Sequence, residues 1–439
     1  MRRWDVNSRN VTGLFRYPSR CFQPDFKRFF RIARPNLCDT RACRRLLTQS
    51  LLLLLTCLRR YALLTWLALS APFTGKRRLG GALLVLLALP LFLIWQGLHW
   101  LGFLLDEILF RGYRKIEVHK PVFIIGPPRT GTTHLHHVLS GDERTTTFRT
   151  WECLFALSVT GRKLCLGLAA LDRLLGRPVG RLGTRLSRRM LSALDDIHPL
   201  GLSDPEEDFL CLMPLAACFL LVVPFPEAQW LWRTARLDSD AGVDERGLLM
   251  RHYRRCIQKH LYVFGPDRQF LSKNASFAGL SEALLDEFPD ARILATVRDP
   301  LAAVPSQLSA LRPGLAACGF AEVPPAFRDA LVDLLVFYYE HLADVAARHP
   351  DRIAFISNDD LKHELEASVT QAFSRVSLDM SPQFAGVLRR AAQASRRHRS
   401  SHRYSLDEFD LSEELIRSRF ERSYCHYGFD AERRQAGAN

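Results

Sequence analysis

Residues 121–137 read PVFIIGPPRTGTTHLHH, and the three parts of this stretch differ in character. Val122 to Ile125 is apolar, β-branched and aromatic, the composition of a strand covered on both faces. Residues 126–133 follow without a linker and are rich in Gly and Pro, so the strand delivers its carboxyl end into a turn. A helix is expected to begin near Thr132. Gly126 and Gly131 reach backbone angles closed to other residues, which lets successive amide N–H groups converge on one anion. The positive end of the helix adds to the same point. Strand, anion-cradling loop and helix in this order predict a P-loop-type α/β fold, a parallel sheet flanked by helices.

The spacing from Gly126 to Gly131 is that of the general P-loop, and Thr133 stands where nucleoside triphosphatases carry Ser or Thr, but Thr132 replaces their Lys. The cation has moved inside the loop, to Arg129. A triphosphatase needs that Lys at the β/γ-phosphates and a magnesium ion bridging them. A loop with an internal cation and two hydroxyls after the glycine suits a single 5′-phosphate that carries a transferable group. Residues 291–306, ARILATVRDPLAAVPS, form a second site of the same type. A buried strand over 293–297 ends in Arg298 and Asp299, Pro300 opens a helix, and Ser306 lies about two turns along it. An Arg at a strand end and a hydroxyl on the next helix grip one phosphate from two sides, the Arg by bidentate charge-assisted bonds. The plain alternative is an Arg298–Asp299 surface pair.

The residues PPRTGTTHL resemble the 5′-phosphosulfate loop of the sulfotransferases that use 3′-phosphoadenosine-5′-phosphosulfate (PAPS), and Arg298 with Ser306 resembles the pair that holds the donor's 3′-phosphate in that family. The resemblance runs over about residues 121–429. Lys273, in FLSKN at 270–274, stands where many members carry a Lys that touches the transferring sulfuryl group. Relatives often place a His shortly after it. Here Asn274, Ala275, Ser276 and Phe277 follow, so the base comes from elsewhere. Glu152, in TFRTWECLFAL, lies at about the distance from the loop where heparan-type members keep a catalytic Glu. Glu207, in HPLGLSDPEEDF, and His198 are the alternatives; the acids after Pro205 also read simply as a charged helix start. The resemblance thus implies a donor site of Arg129, Thr130, Gly131, Thr132, Thr133, Arg298 and Ser306, catalysis by Arg129, Lys273 and Glu152, PAPS as co-substrate and no metal. Residues 396–403, with the segment up to Phe429, resemble the carboxyl-terminal signature of a bacterial-type branch, which would bring Arg396, Arg399 or Arg403 to the 3′-phosphate. A nucleotide or nucleoside kinase, and a membrane-associated nucleotide-binding protein without catalysis, are the competing readings.

With 439 residues the chain holds a catalytic domain, placed at 116–439, and a basic amino-terminal region, 1–115. A net charge of +14 suits nucleic acid, an anionic membrane or a polyanionic small molecule. Zinc-finger spacings and aromatic RNA-binding signatures are absent, which argues against nucleic acid. The 11 Cys are scattered singly without any CxxC, as in a reducing compartment. Residues 51–69 are apolar but carry Arg59 and Arg60 near the middle, each costing roughly 2.5–3.5 kcal/mol at a bilayer centre, so an interfacial or protein-packed helix is expected. Residues 82–105 are long enough to cross a membrane, with basic flanks on both sides that fix no orientation; a monotopic amphipathic pair or a buried helical cap on the catalytic domain is the alternative. A membrane-associated protein with a cytoplasmic catalytic domain is expected. Its acceptor would offer a hydroxyl or amine on a small molecule, lipid or glycan; oligomeric state has no signature. Further along, residues 164–194 read as an Arg-rich helical lid in which Arg162, Arg181 and Arg188 are a solvated face. The apolar stretch 209–224 reads as core or acceptor-pocket lining, 244–261 and 326–348 as helices, and 352–357 as a strand before Asp359 and Asp360.

Overall fold

The computed structural model describes residues 40–176, 201–240, 242–395 and 405–429. It opens with two helices of 31 residues each, α1 (Thr40–Ser70) and α2 (Leu79–Leu109), joined by a tight turn in which Gly75 takes φ +66°. Then come β1 (Val122–Ile125), α3 (Thr132–Leu139), the short β2 (Thr145–Thr146), α4 (Thr150–Phe155) and α5 (Val159–Leu174). After a stretch of 3-10 turns over 208–222 follow α6 (Val243–Phe264), β3 (Gln269–Lys273), β4 (Arg292–Val297), α7 (Pro300–Ala317), α8 (Pro325–Arg348), β5 (Ile353–Ser357) and α9 (Asn358–His363).

The five strands form one parallel sheet in the order β2-β3-β1-β4-β5, as the alternation of strands and helices predicts. The apolar run of β1 serves both faces: Phe123 and Ile125 join one core, Val122 and Ile124 the other. Each such side chain contributes roughly 1.5–3 kcal/mol by leaving water, which is why the run is continuous rather than alternating. After β1 the chain adds β3 on one side and β4 on the other. The crevice at the carboxyl ends of these three strands is therefore the topological switch point where ligands bind in open α/β sheets.

Neither amino-terminal helix stands apart from this body. Leu64 and Ala68 of α1 and Val85, Leu89 and Phe103 of α2 belong to the same hydrophobic core as Phe123 of β1. Arg60 donates to the Leu215 carbonyl at 3.2 Å and pairs with Glu245, so it is the protein-packed Arg of the expected alternatives, while Arg59 is exposed. Tyr61 and Trp100 both donate to the Pro214 carbonyl, at 2.6 and 3.0 Å, and Trp95 donates to that of Leu154. Asp106 accepts from the Val159 and Thr160 amides at 2.8 Å, capping α5 from another helix.

Candidate active site

The loop after β1 is wound as its glycines require. Gly131, at φ +100°, ends the loop, and a Cβ there would come within 2.8 Å of Asn358 Nδ2 and 2.9 Å of Leu361 Cδ1. Arg129, at φ +70°, holds a conformation few non-glycine residues adopt, a mark of strain kept where a loop has work to do. The Thr130 hydroxyl is turned inward, donating to the Pro127 carbonyl at 2.7 Å and lying 2.6 Å from Thr296 Oγ1. Its side chain fastens the loop to β4, and Thr130 itself is buried behind the crevice. Thr132 and Thr133 start α3 and line the cavity described below.

The second strand end meets this loop. Asp299 caps α7 by accepting from the Leu301 amide at 2.9 Å, and its other partner is the Tyr424 hydroxyl at 2.6 Å. Arg298 donates to the Arg129 carbonyl at 3.2 Å. Arg129 in turn donates through Nε to Ser306 Oγ at 3.1 Å. The two motifs read separately in the sequence form one cationic cluster.

Beside it opens a cavity of about 890 Å³. Its polar end is walled by Arg129, Thr132, Thr133, Arg298, Asn358 and Lys362, its apolar end by Phe209, Phe219, Leu220, Val223, Leu311 and Leu335. The stretch 209–224 thus supplies both core and cavity wall. Glu207 lies on the same wall and is paired with Lys273, whose side chain is otherwise buried at the end of β3. Burial, followed by the Lys273 charge, holds His136 well below the usual imidazole range, so that ring stays neutral against Thr147.

Glu152 is not on the cavity wall, contrary to its expected role at the acceptor. It is wholly buried, accepting from His260 Nδ1 at 2.7 Å and Arg162 Nε at 3.4 Å, while Thr146 Oγ1 sits 2.8 Å from His260 Nε2. Burial lowers the His260 pKa, with Glu152 opposing it. Arg162, expected on a solvated face, is equally buried, its guanidinium 5.4 Å from the Phe148 ring centre. Removing ions from water is costly, and each of these residues is held there by the other's charge. Pro205 bridges to Arg149 and Glu207 precedes a 3-10 turn, so the acid run does not open an α-helix with Pro in its first position. Asp208 turns inward, takes a bond from the Tyr253 hydroxyl, and is pushed by burial up to about 7. His198, Arg181, Arg188, Arg396, Arg399 and Arg403 lie outside the described residues. Asn358 and Lys362 were missed in the sequence. The signal was available in the position of Asn358, immediately after β5, a third strand end at the crevice.

Residues 179–382 match the model of a sulfotransferase family. This segment of the chain is of that family. The match begins beyond the β1 loop, so the loop's agreement with the sulfotransferase pattern is a separate observation. Among solved structures, the sulfotransferase STF1 of Mycobacterium tuberculosis H37Rv superposes with a TM-score of 0.60 at 18% identity, over 82% of this chain and 91% of its own. The sulfotransferase STF9 of Mycobacterium avium gives 0.62 at 18%, over 80% of this chain and 86% of its own. At such identity the likeness is one of fold, and it extends well outside the matched sulfotransferase-family segment. No curated protein sequence matches the chain.

Proposed function

We propose that the protein moves a sulfuryl group from PAPS to a hydroxyl or amine of an acceptor with an apolar body, leaving adenosine 3′,5′-bisphosphate. The observation that carries this reading is the joining of Arg298 and Arg129, both on the wall of a half-apolar cavity, with Ser306 buried behind Arg129, into one cluster. Two anion-holding elements that touch suit a nucleotide phosphorylated at both 5′ and 3′ positions. The loop amides from Thr130 to Thr133 and the Thr132 and Thr133 hydroxyls would hold the 5′-phosphate. Arg298 and Ser306 would hold the 3′-phosphate.

In the transfer, the acceptor oxygen or nitrogen forms a bond to sulfur as the bond from sulfur to the bridging oxygen breaks, and the acceptor's proton passes to a carboxylate. Glu207 takes this role here in place of Glu152, because Glu207 faces the cavity and Glu152 does not. Lys273, paired with Glu207 and buried behind the cavity wall, would together with Arg129 neutralise the charge developing on the bridging oxygen. The roles are those of positioning and electrostatics, and they call on no metal. Residues 1–115 act as a membrane-associated region and 116–439 as the catalytic domain, cytoplasmic in keeping with the unpaired thiols of the described cysteines.

Calorimetry without magnesium, with adenosine 3′,5′-bisphosphate, ADP and adenosine 5′-monophosphate as titrants, tests the donor site. The bisphosphate should bind at least about tenfold more tightly than the others, and Arg298→Ala should remove that preference, since a charged hydrogen bond contributes roughly 1.5–3 kcal/mol. Equal binding of all three would sink the proposal. A preference for ADP that appears only with magnesium would favour a kinase.

A further inference from the structure

Two helices among the described residues are long and apolar enough to cross a membrane, α2 and the part of the first helical segment from Leu53 to Phe73. Their attachment to the body excludes a spanning hairpin in this fold. A hairpin that spans puts its turn beyond about 30 Å of hydrocarbon from the domain that carries it. Here the turn itself is bonded to the catalytic body: the Arg78 amide donates to the Gly319 carbonyl at 2.7 Å, and Arg77 reaches the Pro224 carbonyl at 2.7 Å and Glu227 at 3.1 Å. The far end of α2 is bonded too, through Asp106. The helices lie along the protein from end to end.

What they leave uncovered is apolar. On α2 the exposed side chains Leu84, Leu87, Leu91, Ile94, Leu98 and Leu101 recur every three or four residues, one stripe along the helix. The opposite stripe, which faces the protein, holds the polar Gln96, His99 and Asp106. α2 packs between α1 and α5. α1 adds exposed Leu58 and Trp66, and α5 adds Leu164, Leu168, Leu171 and Leu174 at the same helical spacing. Three helices therefore present one apolar face, larger than a soluble surface carries without a partner.

The charges around the face identify the partner. Residues 53–116 contain eight Lys and Arg against two acids, Asp106 and Glu107. Asp106 is buried and Glu107 is paired with Arg114. Arg59, Lys76, Arg78 and Arg111 are exposed. Beyond the end of α2, a groove of about 650 Å³ is lined by Arg114, Lys115, Arg251, Arg254 and Arg255 against two acids, Glu117 and Glu287, the latter paired with Arg254 at 3.3 Å, so a net positive charge remains. A second copy of the chain would bring this basic border against its own like charges. We infer that the α1–α2–α5 face lies flat in one leaflet of a membrane containing anionic lipid, with the basic border and the groove on its headgroup phosphates. This does not depend on the transfer chemistry.

Flotation of the full chain with vesicles of phosphatidylcholine alone, or mixed with phosphatidylglycerol, tests it. The chain should float with the mixed vesicles and much less with the neutral ones, and high salt should reduce the bound fraction. The double variant Leu87→Glu with Leu91→Glu should lower that fraction about tenfold or more while keeping the parent's circular dichroism and melting temperature, which certifies its fold. In bound protein, Lys76→Cys at the turn and the exposed Cys425 of the catalytic body should both react with an impermeant maleimide added outside the vesicles. Labelling of Cys425 but not of residue 76 would mean that the turn has crossed the bilayer and would overturn the inference. So would equal flotation with neutral vesicles, or failure to float by a dimer that the double variant converts to monomer.

Discussion

At the scale of single residues, the two carboxylates Glu207 and Glu152 differ in what their neighbours let them do. Glu207 is partly exposed on the cavity wall beside Lys273, whereas Glu152 spends its charge on buried Arg162 and His260. Glu207→Gln should lower kcat by about 10²–10⁴-fold with bisphosphate binding retained. Glu152→Gln should do the reverse, keeping catalysis per folded molecule but losing roughly 3–5 kcal/mol of stability because Arg162 is left charged and buried. Steady-state turnover with melting curves of both variants separates the roles, and a catalytic loss at Glu152 without a change in melting would exchange them. Asp208 gives a pH signature of its own. Burial holds it at about 7, above the ordinary 3.8 of an unfolded chain, so its stabilising contribution is full below the unfolded value and is lost as pH rises through about 7. Urea midpoints should therefore fall between pH 4 and 8 more in the parent than in Asp208→Asn. Parallel curves for the two would mean that Asp208 is not held protonated.

At the scale of elements, β1, β3 and β4 were legible because each is a short apolar run that ends in residues of another kind, Gly126, Lys273 and Arg298. Their order along the chain, with the hydroxyls that follow, carried the proposed donor site. The burial of Glu152 was not legible, since the partner that fixes it, His260, is 108 positions away and nothing local says which side of the short α4 faces the core. α2 left two readings open for a related reason. It is apolar nearly all round, so hydrophobicity alone suits a span, and only Gln96, His99 and Asp106, all on one side, mark the face turned to protein. Asp106 makes that attachment testable. It caps α5 and lies 3.1 Å from the buried Lys259 ammonium, so Asp106→Ala removes a cap and strands a charge. A loss of roughly 3–5 kcal/mol is expected, accompanied by faster amide exchange in α5 and little change in α7. Uniform exchange across both helices would show that the cap acts on the whole fold instead.

At the scale of the whole molecule, the features converge on one side of the sheet. The stretch over 208–224 lies between the amino-terminal hairpin and the cavity: Pro214, Leu215 and Pro224 hold the hairpin, while Phe209, Phe219, Leu220 and Val223 line the cavity. Docking of the hairpin and shape of the proposed acceptor space are thus set by the same stretch, whereas the proposed donor end is built on the strand termini at Gly126 and Arg298. Donor binding should accordingly be insensitive to the membrane and to metal ions. A ligand that binds only the folded state stabilises it by about 2.7 kcal/mol at a hundredfold excess over Kd. Adenosine 3′,5′-bisphosphate at that excess should raise the melting temperature equally in detergent and on anionic vesicles, and equally with or without EDTA, because the anion is held by Arg129, Arg298 and backbone amides. A shift abolished by EDTA would place a divalent cation between loop and phosphate, and the internal Arg129 would then have to be read as a partner of that ion's ligands, not as its replacement.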